Sequence, residues 1–189
     1  NGAYASNAAT LQSVYNTVDP ASTIIGGSVI GSKVKAIADA INNVVSAKDG
    51  NIFGFTSVYL EGDRVFGRTQ EVNLGNITAD ANAAKAKAAL GLAADAAVFS
   101  LKNGGGLRAS IGSIDASGNK IPPIASGVKA AGAISQLDIE NALRFDNKLM
   151  VFDTTPQGLL NILNFAAGLS GSDTAQSGGY PQVGNLRFS

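Results

Sequence analysis

Three consecutive glycines, at positions 104, 105 and 106, stand between Asn103 and Arg108 in the stretch NGGGLRAS. No other feature restricts the fold as much. Glycine loses more backbone freedom on folding than any other residue and brings no side chain to a core. Three in a row end whatever element precedes them, and they are useful where a backbone must approach something closely. The stretch before them, AAVFSLKN, is an apolar strand pattern. The chain therefore reads as a strand running directly into a side-chain-free passage, after which it presents a single cation, Arg108.

The remainder of the 189 residues supplies helices and further strands in an interleaved order. Residues 1–31 are rich in Ala, Ser, Asn, Thr and Gly and read as an irregular linker, with a short helix around residues 8–16. From Ser32, a plausible cap, Val34, Ile37, Ala38, Ile41 and Val45 recur at helical spacing. This predicts a linker helix over 32–49 that ends at Asp49-Gly50. IFGFTSVYLEG then reads as a strand, and Gly62-Asp63 as a turn. A second helix is expected from about Asn73 to Leu90 with Gly91 as its stop. The low-charge stretch 113–133 reads as a surface excursion or hairpin. SQLDIENAL is a short helix with Ser135 as N-cap and Asp138 at its third position. KLMVFDTT reads as a strand, PQGLLNILNFAAGL as an amphipathic helix opened by Pro156, residues 170–179 as a loop, and YPQVGNLRFS as a last extended segment. Strands and helices alternate without a βαβ rhythm, so the expected class is α+β, a mixed β-sheet with packed helices.

Composition excludes several function classes. Hydrophobic residues make up 45% of the chain, enough for a core, and charged residues only 15%. Fourteen basic residues balance fourteen acidic ones, so there is no electrostatic footprint for a nucleic acid polymer or an anionic membrane. No run of about 18 apolar residues could span a bilayer. The chain contains no cysteine and no histidine. Disulfides, thiol nucleophiles, imidazole metal ligands and the commonest general base are all missing. No pair of carboxylates is placed to suggest acid–base work. Residue 1 is Asn and no signal peptide is visible, so the chain reads as a piece of something larger.

Four stretches occur in a fixed order: EVNLGNITAD, NGGGLRASIG, LRFDNKLMVFDTTPQGLLNIL and GGYPQVGNLRF. Together they resemble the C-terminal domain of the 5′-nucleotidase family, which includes UDP-sugar hydrolases and cyclic-nucleotide phosphodiesterases. The resemblance covers residues 50–189. It implies the substrate-recognition domain of a secreted, periplasmic or extracellular nucleotide phosphohydrolase. In such a protein an N-terminal metallophosphatase domain holds two divalent metal ions and performs the hydrolysis. The chain itself would then carry no catalytic residue, no metal and no cofactor. Its expected partners are a nucleotide, the metallophosphatase domain and a further C-terminal segment of the same parent. The alternative from another class is a structural or interaction module that keeps the fold without binding nucleotides.

The same resemblance assigns residues. Arg108 matches an arginine that contacts substrate, Asn103 an asparagine near the base, and Arg68 another substrate-facing arginine, with Arg64 close enough to exchange roles with it. Phe145 matches the first of two aromatics that sandwich the base, and Asn147 a polar group at the base edge. Taken without the family, the bland alternative for Arg108 is a surface cation closing a glycine turn, and Phe145 is equally a core ring. Asn73 and Asn76 read as caps, Asp80 as a solvent-facing helix residue, and Tyr180 as a packing residue. The chain departs from the pattern at Arg144, where the family has proline, and in the length of 113–133. It also reaches Ser189 before the segment that carries the second aromatic and a ribose-binding aspartate. An incomplete domain of this kind would expose a sheet edge, to be covered by a complementary chain or by pairing of copies.

Overall fold

The computed structural model describes residues 7–16, 29–168 and 176–187. Most of the linker expected at 1–31, part of the loop at 170–179 and the last two residues lie outside these. The chain divides into two units, Asn1–Lys48 and Asp49–Ser189. Among the described residues no helix is long and apolar enough to cross a membrane.

The first unit contains the short helix α1 (Ala8–Tyr15) and most of α2 (Val29–Gly50). The Asn7 side chain accepts the Thr10 N–H at 3.0 Å, and Asn16 ends α1 in the left-handed conformation. Helix α2 begins three residues before the position its periodicity suggests and runs on through Gly50. Its apolar stripe, including Val34, Ile37 and Ile41, is exposed.

The second unit is α+β. Strand β1 (Ile52–Phe55) pairs with β5 (Ala133–Ser135), β2 (Ser100–Asn103) with β6 (Pro181–Gly184), and β3 (Ser113–Ile114) with β4 (Lys120–Ile121), all antiparallel. The sheet component is thus three separate two-stranded ladders. The strands are only two to four residues long, and an irregularity in β1 shifts its register between Ile52 and Gly54. Helices α3 (Arg64–Gly67), α4 (Asn73–Leu90), α5 (Gln136–Ala142) and α6 (Pro156–Gly168) complete it.

The fold corrects the sequence reading of two further elements. The stretch after Gly62-Asp63 winds into α3, because the Asp63 carboxylate accepts the Val65 N–H at 2.8 Å and caps the turn. KLMVFDTT forms no strand, and Met150 and Phe152 are 83% and 68% exposed. A β-branched, aromatic pattern becomes a strand only where another backbone offers a ladder, and among the described residues none pairs with it. The 113–133 excursion does contain the hairpin β3–β4, and α5 begins with the expected capping box of Ser135 and Asp138.

The core gathers Leu60, Val72, Leu74, Leu107, Ile111 and Ala142. Helix α4 crosses β6 at very close range. A Cβ on Gly75 would stand 2.0 Å from Gln182 Oε1, and one on Gly184 would stand 2.4 Å from the backbone at Ala79 and Asp80. Gln182 is fully buried and spends its amide on three backbone groups. It accepts from Val72 N–H at 2.9 Å and donates to the carbonyls of Gly67 at 3.1 Å and Gln70 at 2.8 Å. Asp80 does not simply face solvent, since its carboxylate accepts the Asn185 N–H at 2.7 Å. Asn73 holds the Glu61 N–H and the Tyr59 carbonyl. The NLGN and PQVGN stretches are therefore complementary halves of one packing contact.

The start of the second unit is fastened by charge. Lys129, 10% exposed, lies 2.9 Å from Asp49 and 2.8 Å from Asp138, and the Ser135 hydroxyl also donates to Asp49 at 2.9 Å. The Lys129 ammonium, against the opposing pull of burial and with help from Ser135 and Ser126, holds the Asp49 carboxyl below its ordinary 3.8. Burial pushes Glu61 up, but Lys120, the Asp63 N–H and the Ser110 hydroxyl outweigh it and leave it below its ordinary 4.5. Both native values lie below the unfolded ones, so on acidification the unfolded chain takes up these protons first. The stability they confer is complete above the unfolded values and is lost as pH falls through the native ones. The urea midpoint is expected to fall between about pH 6 and about pH 3, and to fall less in Asp49→Asn.

Candidate functional site

The glycine run resolves into a short 3₁₀ turn, Gly104–Gly106, packed between two other backbones. A Cβ on Gly104 would stand 1.7 Å from the Gly67 carbonyl oxygen, and one on Gly105 would stand 2.9 Å from Gly178 Cα. The Gly104 N–H donates to Tyr180 O at 2.8 Å and the Gly105 N–H to Gly178 O at 2.9 Å. The end of α3, the glycine turn and the 178–180 loop thus touch backbone to backbone, a contact only glycine permits. The close approach is to the protein itself.

This contact brings cations together. Arg68 follows α3 directly. Its Nε is sealed from solvent, and its guanidinium carbon stands 4.0 Å from where a Gly178 Cβ would be. Burial first, then the neighbouring charges of Arg64 and Arg108, disfavour the protonated form of Arg68. Arg64 and Arg68 are four residues apart across α3, the spacing that puts two side chains on one helix face. Arg108 emerges from the other side of the glycine turn. Its N–H donates to the Ala142 carbonyl at 2.9 Å, which ties it to the last residue of α5. Three residues beyond Ala142, Phe145 turns its ring to Arg108, with 5.6 Å from guanidinium carbon to ring centroid. The ring is 54% exposed, so Phe145 is not a core residue. Arg108 is also exposed.

Of the residues singled out in the sequence, Arg68, Arg108 and Phe145 converge. Asn103 stands at the near end of the same turn, with its Oδ1 3.4 Å from a Cβ position on Gly106. Asn147 is exposed two positions past Phe145 and makes no hydrogen bond among the described residues. Arg64 lies within charge reach of Arg68. Lys102 is a residue that sequence reasoning missed. It is half-buried, burial lowers the pKa of its ammonium, and its Cε lies 3.6 Å from the same Gly106 Cβ position. Its position in β2 beside the glycines was the available signal. Lys120, also missed, lies over the rings of Phe66 at 4.5 Å and Tyr59 at 5.4 Å and pairs with Glu61.

Guanidinium groups within electrostatic reach of one another favour an anion, and the exposed ring beside Arg108 offers a stacking face. A separate groove of about 340 Å³ between α4, β2 and residues 149–154 is mainly apolar and includes none of the three arginines. Among the described residues, no three His, Cys, Asp or Glu side chains gather to hold a metal ion.

An α+β unit thus carries Arg68 within charge reach of Arg64 and Arg108, with the exposed ring of Phe145 against Arg108. The family described as the 5′-nucleotidase C-terminal domain matches residues 52–189, and the chain belongs to that family. The trifunctional nucleotide phosphoesterase protein YfkN of Bacillus subtilis (strain 168) is 31% identical over 156 residues, which is 82% of this chain and 9% of that protein. The crystal structure of a 5′-nucleotidase precursor from Thermus thermophilus is similar at a TM-score of 0.56 and 25% identity, over 81% of this chain and 25% of that one. The chain therefore spans a small part of the curated relative and a quarter of the solved one.

Proposed function

We propose that this chain is the substrate-recognition domain of a metal-dependent 5′-nucleotidase or related nucleotide phosphohydrolase. The observation that carries this reading is that Arg68 lies within charge reach of both Arg64 and Arg108, while Arg108 lies over the exposed ring of Phe145. Membership of a 5′-nucleotidase domain family supports it. In this reading the arginines direct forked donors at phosphate or ribose oxygens, and Phe145 stacks one face of the base. Asn103 and Asn147 are assigned to the base edge. Hydrolysis belongs to a metallophosphatase domain with two divalent ions, in a parent working in the periplasm or outside the cell.

Calorimetry on the chain with AMP and with adenosine tests the reading. AMP is expected to bind and adenosine to bind more weakly. Phe145→Ala should weaken both by about 1–3 kcal/mol, the worth of one stacked base. Arg108→Ala should weaken AMP by about 1.5–3 kcal/mol, the worth of a hydrogen bond to a charged group, and leave adenosine much less affected. An absence of binding heat for both ligands would overturn the reading in favour of a structural module.

A further inference from the structure

The excursion at 113–133 supplies no residue to the arginine cluster, yet it reaches α3 through Lys120. We propose that Glu61 is a positioning residue that sets the spacing between the arginines of α3 and Arg108, with the β3–β4 hairpin as its brace. The proposal rests on the nucleotide-recognition reading for its functional meaning, and on geometry for its structure.

The segments before Arg64 and after Arg108 run side by side. Leu60 and Ile111 exchange backbone hydrogen bonds at 2.9 Å each, and a Cβ on Gly62 would stand 2.3 Å from the Ala109 carbonyl oxygen. One carboxylate serves both segments. Glu61 Oε1 accepts the Asp63 N–H at 2.8 Å, and Asp63 in turn caps α3 one residue before Arg64. The same oxygen accepts the Ser110 hydroxyl at 2.9 Å, two residues after Arg108, and Ser110 Oγ takes the Gly62 N–H at 2.9 Å. The other oxygen, Oε2, pairs with Lys120. Lys120 sits on the ring of Phe66, which lies in sequence between Arg64 in α3 and Arg68 at its C-cap.

A carboxylate suits this place on grounds of charge. Three arginines near one another repel, and Arg68 already carries the cost of its neighbours. An anchor is needed that does not neutralise the arginines, since that would cancel their attraction for an anion. Glu61 is 15% exposed and its charge is matched by Lys120, so it holds both segments while leaving the arginine charges for the ligand.

Glu61→Gln in the whole chain tests this, read first by the arginine Nε–Hε NMR resonances without ligand. Signals of both Arg64 and Arg108 are expected to move, although neither side chain hydrogen-bonds or ion-pairs with Glu61. AMP affinity is expected to drop about tenfold with adenosine affinity unchanged, and Glu61→Asp is expected to recover part of the loss. A loss of fold would lower both affinities together, so the split separates positioning from simple destabilisation. If Glu61→Gln does not fold, Ser110→Ala decides, because it cuts only the link to the Arg108 segment and should move the Arg108 signal. Unmoved arginine signals in the folded variant would overturn the proposal. If the unmodified chain binds no AMP, the nucleotide reading fails, and the arginine resonances still decide the positioning role.

Discussion

Gln182→Leu is expected to cost about 3–6 kcal/mol, a large share of the stability of a domain. Leucine keeps most of the side-chain volume, so the loss is not chiefly a cavity. What disappears is the partner of three backbone groups, the buried Val72 N–H and Gly67 carbonyl and the partly buried Gln70 carbonyl. Each buried group left unsatisfied costs about 1–3 kcal/mol, against a total stability of about 5–15 kcal/mol for a domain. The Gly75 cradle is shaped to the glutamine amide, with Oε1 and the amide carbon filling the space a Cβ would need. Urea denaturation followed by circular dichroism measures the change. A midpoint unaltered from the parent would mean that water replaces the amide without penalty.

The second large effect is expected from Gly104→Ala, at about 3 kcal/mol or more. The new methyl would lie 1.7 Å from the Gly67 carbonyl oxygen. That atom belongs to backbone and has no rotamer to escape into, so the end of α3 must move away from the glycine turn. Because Arg68 follows Gly67 and Arg108 follows the turn, whatever protein still folds is expected to lose AMP affinity as well. Gly106→Ala is the control. Its nearest neighbour is Asn103 Oδ1 at 3.4 Å, a side chain that can give way, so the expected cost is below about 1 kcal/mol. Equal costs at the two positions would show that entropy of the glycine run, not contact, sets its importance.

The family motifs were legible in the sequence, but their meaning was not. NLGN and PQVGN were visible as motifs, yet nothing along the chain says that Gly75 exists for Gln182, more than a hundred positions away. Helix α5 was readable in detail because its capping box is a contact between residues three apart. Helix α3 was missed because four residues carry too little periodicity, and its signal was a single aspartate at the N-cap. The strand expected at KLMVFDTT failed for the opposite reason, since the local pattern is strong but no partner lies beside it among the described residues. At the site, Arg108 and Phe145 were found through the resemblance, and whether Phe145 was core or rim required its exposure. Arg64 was weighed as a substitute for Arg68, and the turn of helix brings their charges within reach of one another.

By itself, the sequence determined what depends on neighbours: the helices over 73–90 and 136–142, the hairpin in the long excursion, the absence of histidine and cysteine chemistry, and the glycine turn that ends in a cation. Tertiary structure alone decided which backbone the glycines admit, which carbonyls the buried glutamine satisfies, and that arginines from two segments come within charge reach of one another, with Arg108 over an exposed ring. The physical reason is range. Capping, turn chemistry and hydrophobic period act over a few residues and are written in order along the chain. Close packing and charge act through space, and they exist only once distant segments have been brought within a few ångströms of one another.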